Sequence, residues 1–170
     1  MSSTPEAPDP AGPPIPPRLA LPGGLEAGLV GGMVVVAVFL IRDSSLGVPL
    51  HTPSVLGTLM LDGLDAAREV RSAPGAAAAY NAVHFAAWVL LGFVGSYLMG
   101  LAERGEGSRY LPLVAVACSL LGLLGLDLLI IETGLTRLHL WIGGLAGLFA
   151  MGEYLSWRHP GAIDRLRGTR

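Results

Sequence analysis

Long apolar stretches alternate with short polar segments along most of the chain. Four of these stretches hold at most two charged residues each, at about 24–42, 76–102, 110–131 and 137–157. A helix needs about 20 residues to cross a hydrocarbon core about 30 Å thick. Inside a bilayer the backbone must satisfy its own hydrogen bonds, which favours helices. The pattern therefore predicts an all-α fold, an integral membrane four-helix bundle over residues 23–158.

A further helix is predicted in the first loop, at about 53–71. Apolar residues recur there at helical spacing, namely Leu56, Leu59, Met60, Leu64 and Ala67. Thr52 and Pro53 stand in the order expected of an N-cap and a first helical residue. Pro74-Gly75 would end the segment. We expect an amphipathic helix that lies on the outer membrane surface or caps the bundle.

Composition strengthens the membrane prediction and defines the tails. Only 14% of residues are charged and the mean hydropathy is +0.58, against about 25% charged residues in a soluble domain. Residues 1–22 hold eight of the thirteen prolines, which predicts a disordered, Pro-rich cytoplasmic tail. Residues 159–170 form a basic cytoplasmic tail. The net charge of −2 argues against nucleic acid as a partner.

The distribution of arginine predicts the orientation. All eleven basic residues are Arg. Seven lie in the two tails, the loop at 103–109 and the end of the last stretch, and four lie in the loops at 42–75 and 132–137. Basic residues accumulate on the cytoplasmic side. We therefore expect both termini in the cytoplasm, with the protein in the inner membrane of a bacterium.

Small residues repeat every four positions on three of the apolar stretches. They include Gly24, Gly28 and Gly32 on the first and Gly92, Ser96 and Gly100 on the second. This spacing lets helix backbones approach closely. It fits packing within one bundle, and it also fits self-association through the first stretch.

Ionisable residues within the apolar stretches are candidates for function, because burying them is costly. His84, Asp127 and His139 lie at similar depth near the outer side, and we expect His84 to pair with Asp127. The loops just above add Asp43, His51 and Glu132 to this polar layer. The layer could be a structural contact that fixes helix register, a site for haem b or a metal ion on His84 and His139, or a proton relay.

The polar positions near the outer ends also carry a resemblance. Asp43-x-x-x-Gly47-x-Pro49-x-x-Thr52-Pro53-x-x-Leu56-Gly57, followed by Tyr80-x-x-x-His84-Phe85, resembles a group of small uncharacterised bacterial four-span membrane proteins. The ending Trp157-Arg158-His159-Pro160 fits the same group. The resemblance covers about residues 24–160. It implies an inner-membrane protein with signature positions at the outer ends of the first two spans, and it implies no particular activity.

Three functions are compatible with these features. The first is a non-enzymatic accessory or scaffold subunit that contacts membrane lipid and larger membrane subunits, without a cofactor. The second is a redox or metal-binding membrane subunit using His84 and His139. The third is a small proton-linked transport module. The sequence holds no phosphate-binding loop, Gly-x-Ser-x-Gly or HExxH motif, so no named enzyme class is indicated.

Overall fold

Helices form all of the regular structure in the part of the chain that the structure describes. The structure is a computed structural model that describes residues 17–105, 117–118, 121–122, 125 and 137–167. Six helices lie within these residues: α1 Pro17–Ser45, α2 His51–Asp62, α3 Leu64–Glu69, α4 Pro74–Glu103, α5 Arg137–Arg158 and α6 Pro160–Leu166. The predicted all-α fold is therefore confirmed. The third apolar stretch, at 110–131, lies largely outside the described residues.

Helix α1 is central, and α4 and α5 both pack against it. Gly28 near its start faces Trp88 and Val89 of α4, whereas Gly32, one turn later, faces Phe85. Along α5, Gly143 faces Phe39 and Gly147 faces Val35. Both α4 and α5 thus run antiparallel to α1 and parallel to each other. The bundle has an α2 end, which holds Asp43 and the start of α4, and an α6 end, which holds Gly23 and the end of α5.

Glycines bring the backbones of α1 and α4 into contact. A Cβ added at Gly28 would lie 2.5 Å from Cα of Val89, and one added at Gly92 would lie 2.5 Å from N of Gly28. Real Cβ atoms do not approach backbone so closely. The spacing of small residues in the sequence is thus used within the chain, between α1 and α4. Self-association through the same face of α1 would require α1 to separate from α4, and it stays a prediction.

The predicted helix at about 53–71 is two helices, and the expected N-cap at Thr52 is wrong. Helix α2 begins at His51, with Leu50 as N-cap in the left-handed region at φ 66°. Thr52 is therefore a residue of the first turn rather than the N-cap. Gly63 separates α2 from α3 with φ 90°, a backbone conformation that glycine adopts without strain.

Helix α2 caps the bundle. Every residue from Thr52 to Thr58 is buried. A helix that lay on a membrane surface would bury only its apolar face. Gly57 lies directly against the backbone of Ala76 at the start of α4. Of the two predicted placements, capping is the one that the structure shows. Pro74 opens α4 as its first residue, where a missing N–H costs nothing.

The first helix begins earlier than expected. Residues 17–22, which the sequence assigned to the Pro-rich tail, lie in α1. Pro17 occupies its first position, where proline suits a helix. Residues 1–16 lie outside the described part of the chain.

Two of the described helices are long and apolar enough to cross a membrane, by length and composition. They are Gly23–Ser45, with mean hydropathy 2.2, and Pro74–Glu103, with mean hydropathy 1.8. Only 39% and 22% of their most apolar windows are buried by the rest of the protein. A core helix of a soluble protein would bury most of such a surface. The outward-facing apolar surface therefore points to a membrane protein.

Candidate functional site

The most deeply buried charged side chain in the described residues is Asp43, near the end of α1. Its relative exposure is 0%. One carboxylate oxygen accepts a hydrogen bond from the backbone N–H of Thr52 at 2.6 Å, and the other accepts from the Thr52 hydroxyl at 2.8 Å. The guanidinium of Arg42 lies 3.2 Å from the second oxygen. Ionised, the buried carboxylate thus has a counter-charge and two hydrogen-bond donors.

This carboxylate performs the capping role that the sequence assigned to Thr52. The first N–H groups of a helix have no partner inside it, and Asp43 satisfies the one at Thr52. A negative charge is also favourable beside a helix N-terminus. The first helix and α2 are thereby joined through one side chain. We call the group Arg42, Asp43 and Thr52 the Asp43 junction.

His51 lies beside this junction but binds elsewhere. Its Nδ1 atom is 3.2 Å from the carbonyl oxygen of Arg71, in the segment between α3 and α4. The hydroxyl of Ser54 accepts a hydrogen bond from the N–H of Ala73 at 3.0 Å. These contacts tie the first turn of α2 to the residues that lead into α4.

His84 lies nearly three helical turns into α4, which begins at Pro74. Its Nε2 is 3.4 Å from the carbonyl oxygen of Gly32, and its Nδ1 is 3.4 Å from the Tyr80 hydroxyl. The rings of Tyr80, Phe85 and Trp88 lie 5.5–6.1 Å from the imidazole. A neutral imidazole donating from Nε2 to Gly32 and accepting at Nδ1 from Tyr80 satisfies both contacts.

The remaining members of the predicted polar layer are His139, Asp127 and Glu132. His139 stands at the start of α5, and its buried Nδ1 has no hydrogen-bond partner among the described residues. Asp127 and Glu132 lie outside the described residues, so the predicted pairing of His84 with Asp127 stays a prediction. Within the described part of the chain, no group of three or more His, Cys, Asp or Glu residues could hold a metal ion.

A second polar cluster, which the sequence did not predict, lies at the α6 end. His159 connects α5 to α6, and its Nδ1 is 3.3 Å from a carboxylate oxygen of Glu103 at the end of α4. Its Nε2 is 3.4 Å from the hydroxyl of Ser96. The order hydroxyl, imidazole, carboxylate resembles that of a nucleophile and its base. Ser96 is only 1% exposed, however, so the cluster acts as a clasp between α4 and the α5–α6 connection.

The partners in this clasp are 63 and 56 residues apart in sequence, since His159 pairs with Ser96 and Glu103. No local spacing could have revealed the cluster. The one signal was the His159-Pro160 step, because a proline there ends α5 and starts α6. A further link at this end joins the hydroxyl of Tyr154, on α5, to the carboxylate of Glu26 on α1.

Comparisons with known proteins identify no relative. No family model, no curated protein and no solved structure matches the chain. Any function must therefore be inferred from the geometry described above.

Proposed function

We propose that the protein is a small four-span membrane protein that serves as a non-enzymatic accessory or scaffold subunit of a bacterial inner-membrane complex. The observation that supports this role most directly is the Asp43 junction. A buried carboxylate in a membrane protein is a candidate for function by default. The Asp43 carboxylate accepts hydrogen bonds from Thr52 of its own chain. Such a contact is typical of a side chain that stabilises a fold.

The path of the chain supports four spans. Helix α4 ends at the α6 end of the bundle, and α5 starts at the α2 end. The two helix ends that residues 106–136 join therefore lie at opposite ends of the bundle. As a helix, the 22 residues of the apolar stretch at 110–131 would extend about 33 Å, which suffices to cross the hydrocarbon core.

The start of α1 and the end of α5 lie at the same end of the bundle. A Cβ added at Gly23, near the start of α1, would lie 3.9 Å from Nε of Arg158, at the end of α5. Seven of the eleven Arg residues belong to the segments at this end, which supports a cytoplasmic α6 end and an α2 end on the outer side.

The surface of α4 supports contact with larger subunits. Large apolar side chains on one side of this helix are exposed, including Leu90 at 66% and Tyr97 at 62%. Val83 and Val94 extend the same stripe. Lipid can cover such a stripe, but so can the helix of another membrane protein through van der Waals packing.

Blue native electrophoresis of the tagged protein, expressed at its natural level in its own host and extracted in mild detergent, tests this role. We expect a band of defined mass, much larger than the chain, that contains stoichiometric partner subunits. Leu90→Trp should shrink the complex, whereas Met33→Trp, at an exposed position of α1, serves as the matched control. If the protein migrates alone and carries a Soret band or stoichiometric metal, the result would favour a redox or metal-binding role of His84 and His139 over the accessory role.

A further inference from the structure

A long cavity runs between α4 and α5. Its volume is about 650 Å³, within the range of roughly 300–1,000 Å³ typical of small-molecule sites. Val35 and Phe39 of α1 form part of its floor, and Cys118 and Gly122, from the connection between α4 and α5, line it from another side. On α4 the lining runs from Tyr80 to Met99, which is about 28 Å of helix.

The walls of this cavity are apolar along most of their length. Leu91, Leu98, Leu148 and Leu155 are typical members. Two glycines of α5, Gly144 and Gly152, also line it, and a Cβ added at either would meet no described residue within 4 Å. Apolar cavities hold no water, and an unfilled void forfeits dispersion contacts for every atom that lines it.

Polar side chains mark one end of the cavity. Tyr80 and His84 line it near the α2 end. Their contacts with each other and with the Gly32 carbonyl are each 3.4 Å, longer than the usual 2.9–3.0 Å. The Tyr80 hydroxyl can therefore turn toward a ligand oxygen at little cost.

We propose that this cavity binds one amphipathic lipid with a long hydrocarbon chain, whose hydrogen-bonding head lies at Tyr80 and His84. The length of the cavity matches a chain that reaches across most of the hydrocarbon core. A head that carries a carbonyl or carboxyl oxygen can accept from the Tyr80 hydroxyl. A free fatty acid and an isoprenoid quinone share this chemistry. The proposal rests on the membrane location proposed above, but it does not depend on the accessory role.

Quenching of Trp88 fluorescence tests the site, because Trp88 lines the cavity and is only 8% exposed. In a Trp141→Phe, Trp157→Phe background, Trp88 is the only tryptophan. In nanodiscs, we expect a brominated fatty acid or a quinone to quench it saturably, whereas brominated phospholipid in the bulk bilayer quenches it weakly. The ligand that quenches Trp88 at the lower concentration shows whether the bound hydrocarbon chain belongs to a fatty acid or to a quinone.

Filling the cavity provides the matched control. Gly144→Phe should abolish saturable quenching while the protein stays folded, and Leu145→Phe, at an exposed position of the same helix, should leave quenching unchanged. Weak quenching by every ligand in a folded, membrane-inserted protein would overturn the proposal. A sharp loss of stability in Gly144→Phe, together with cross-linking of Cys118 to a cysteine placed at Leu148, would overturn it too, because residues 110–131 would then fill the space themselves.

Discussion

At the scale of single residues, the protein stabilises itself with buried polar contacts between segments that are distant in sequence. Asp43 and Thr52 are nine residues apart and belong to different helices. His159 reaches across 63 residues to Ser96. Each contact pairs polar groups that are buried or partly buried, and losing a partner there costs more than the net gain of an exposed hydrogen bond.

The Asp43 junction yields the first prediction. Asp43→Ala should destabilise the protein by on the order of 3 kcal/mol, because it removes the buried acceptor of the Thr52 N–H and the carboxylate beside Arg42. Thr52→Val removes one hydroxyl donor and should cost about 1–2 kcal/mol. Unfolding in mixed detergent micelles measures both. Because the two side chains share one hydrogen bond, the double variant should lose less than the sum, and strict additivity would contradict the geometry.

The clasp at His159 yields the second. His159→Ala removes both contacts that hold the α5–α6 connection on α4, at a cost of about 1–2 kcal/mol. The undocked population of α6 should rise roughly 5- to 30-fold, and trypsin should cleave faster after Arg165. Ser156→Ala is the control, since its hydroxyl donates to the Gly152 carbonyl in its own helix. Equal cleavage rates in the two variants would show that the clasp contributes nothing.

At the scale of helices, glycines decide which faces meet. Those on α1 and α4 are in backbone contact, whereas a Cβ added at Gly144 of α5 would meet no described residue within 4 Å. The same residue type therefore has opposite consequences at the two places, and substitution with alanine separates them.

Gly28→Ala should destabilise the bundle, because the new methyl group would meet the backbone at Trp88 and Val89. Gly144→Ala should be neutral or stabilising by up to about 1 kcal/mol, because alanine has the higher helix propensity. Thermal unfolding in one detergent compares the pair directly. If both variants behaved alike, α1 and α4 would not be in backbone contact.

These helices also show what a sequence can reveal. Apolar stretches of about 20 residues located α1, α4 and α5 to within a few residues, except at the start of α1. The N-cap at Thr52 was wrong because local spacing cannot show a carboxylate that arrives from the previous helix. The spacing of Gly24, Gly28 and Gly32 predicted close packing, but it did not identify α4 as the partner. That choice depends on the path of the chain in three dimensions.

At the scale of the whole molecule, the distribution of Arg predicts the orientation in the membrane. A cytoplasm-specific fluorescent reporter fused after Arg170 should be bright, because most Arg residues lie in segments at the α6 end. A periplasm-specific reporter inserted after Arg71, between α3 and α4, should be active. The reverse pattern at both positions would show that the protein has the opposite orientation in the membrane.

The contact between Gly28 and Gly92 has a consequence for synthesis. Helices α1, α2 and α4 are complete once residue 103 has been made, and 55 residues then remain to the end of α5 at Arg158. Translation at about 5–20 residues per second needs about 3–11 s for those residues. During those seconds the nascent chain already holds every residue of the glycine contact and of the Asp43 junction. The first two long helices can therefore pair as a hairpin before α5 is complete.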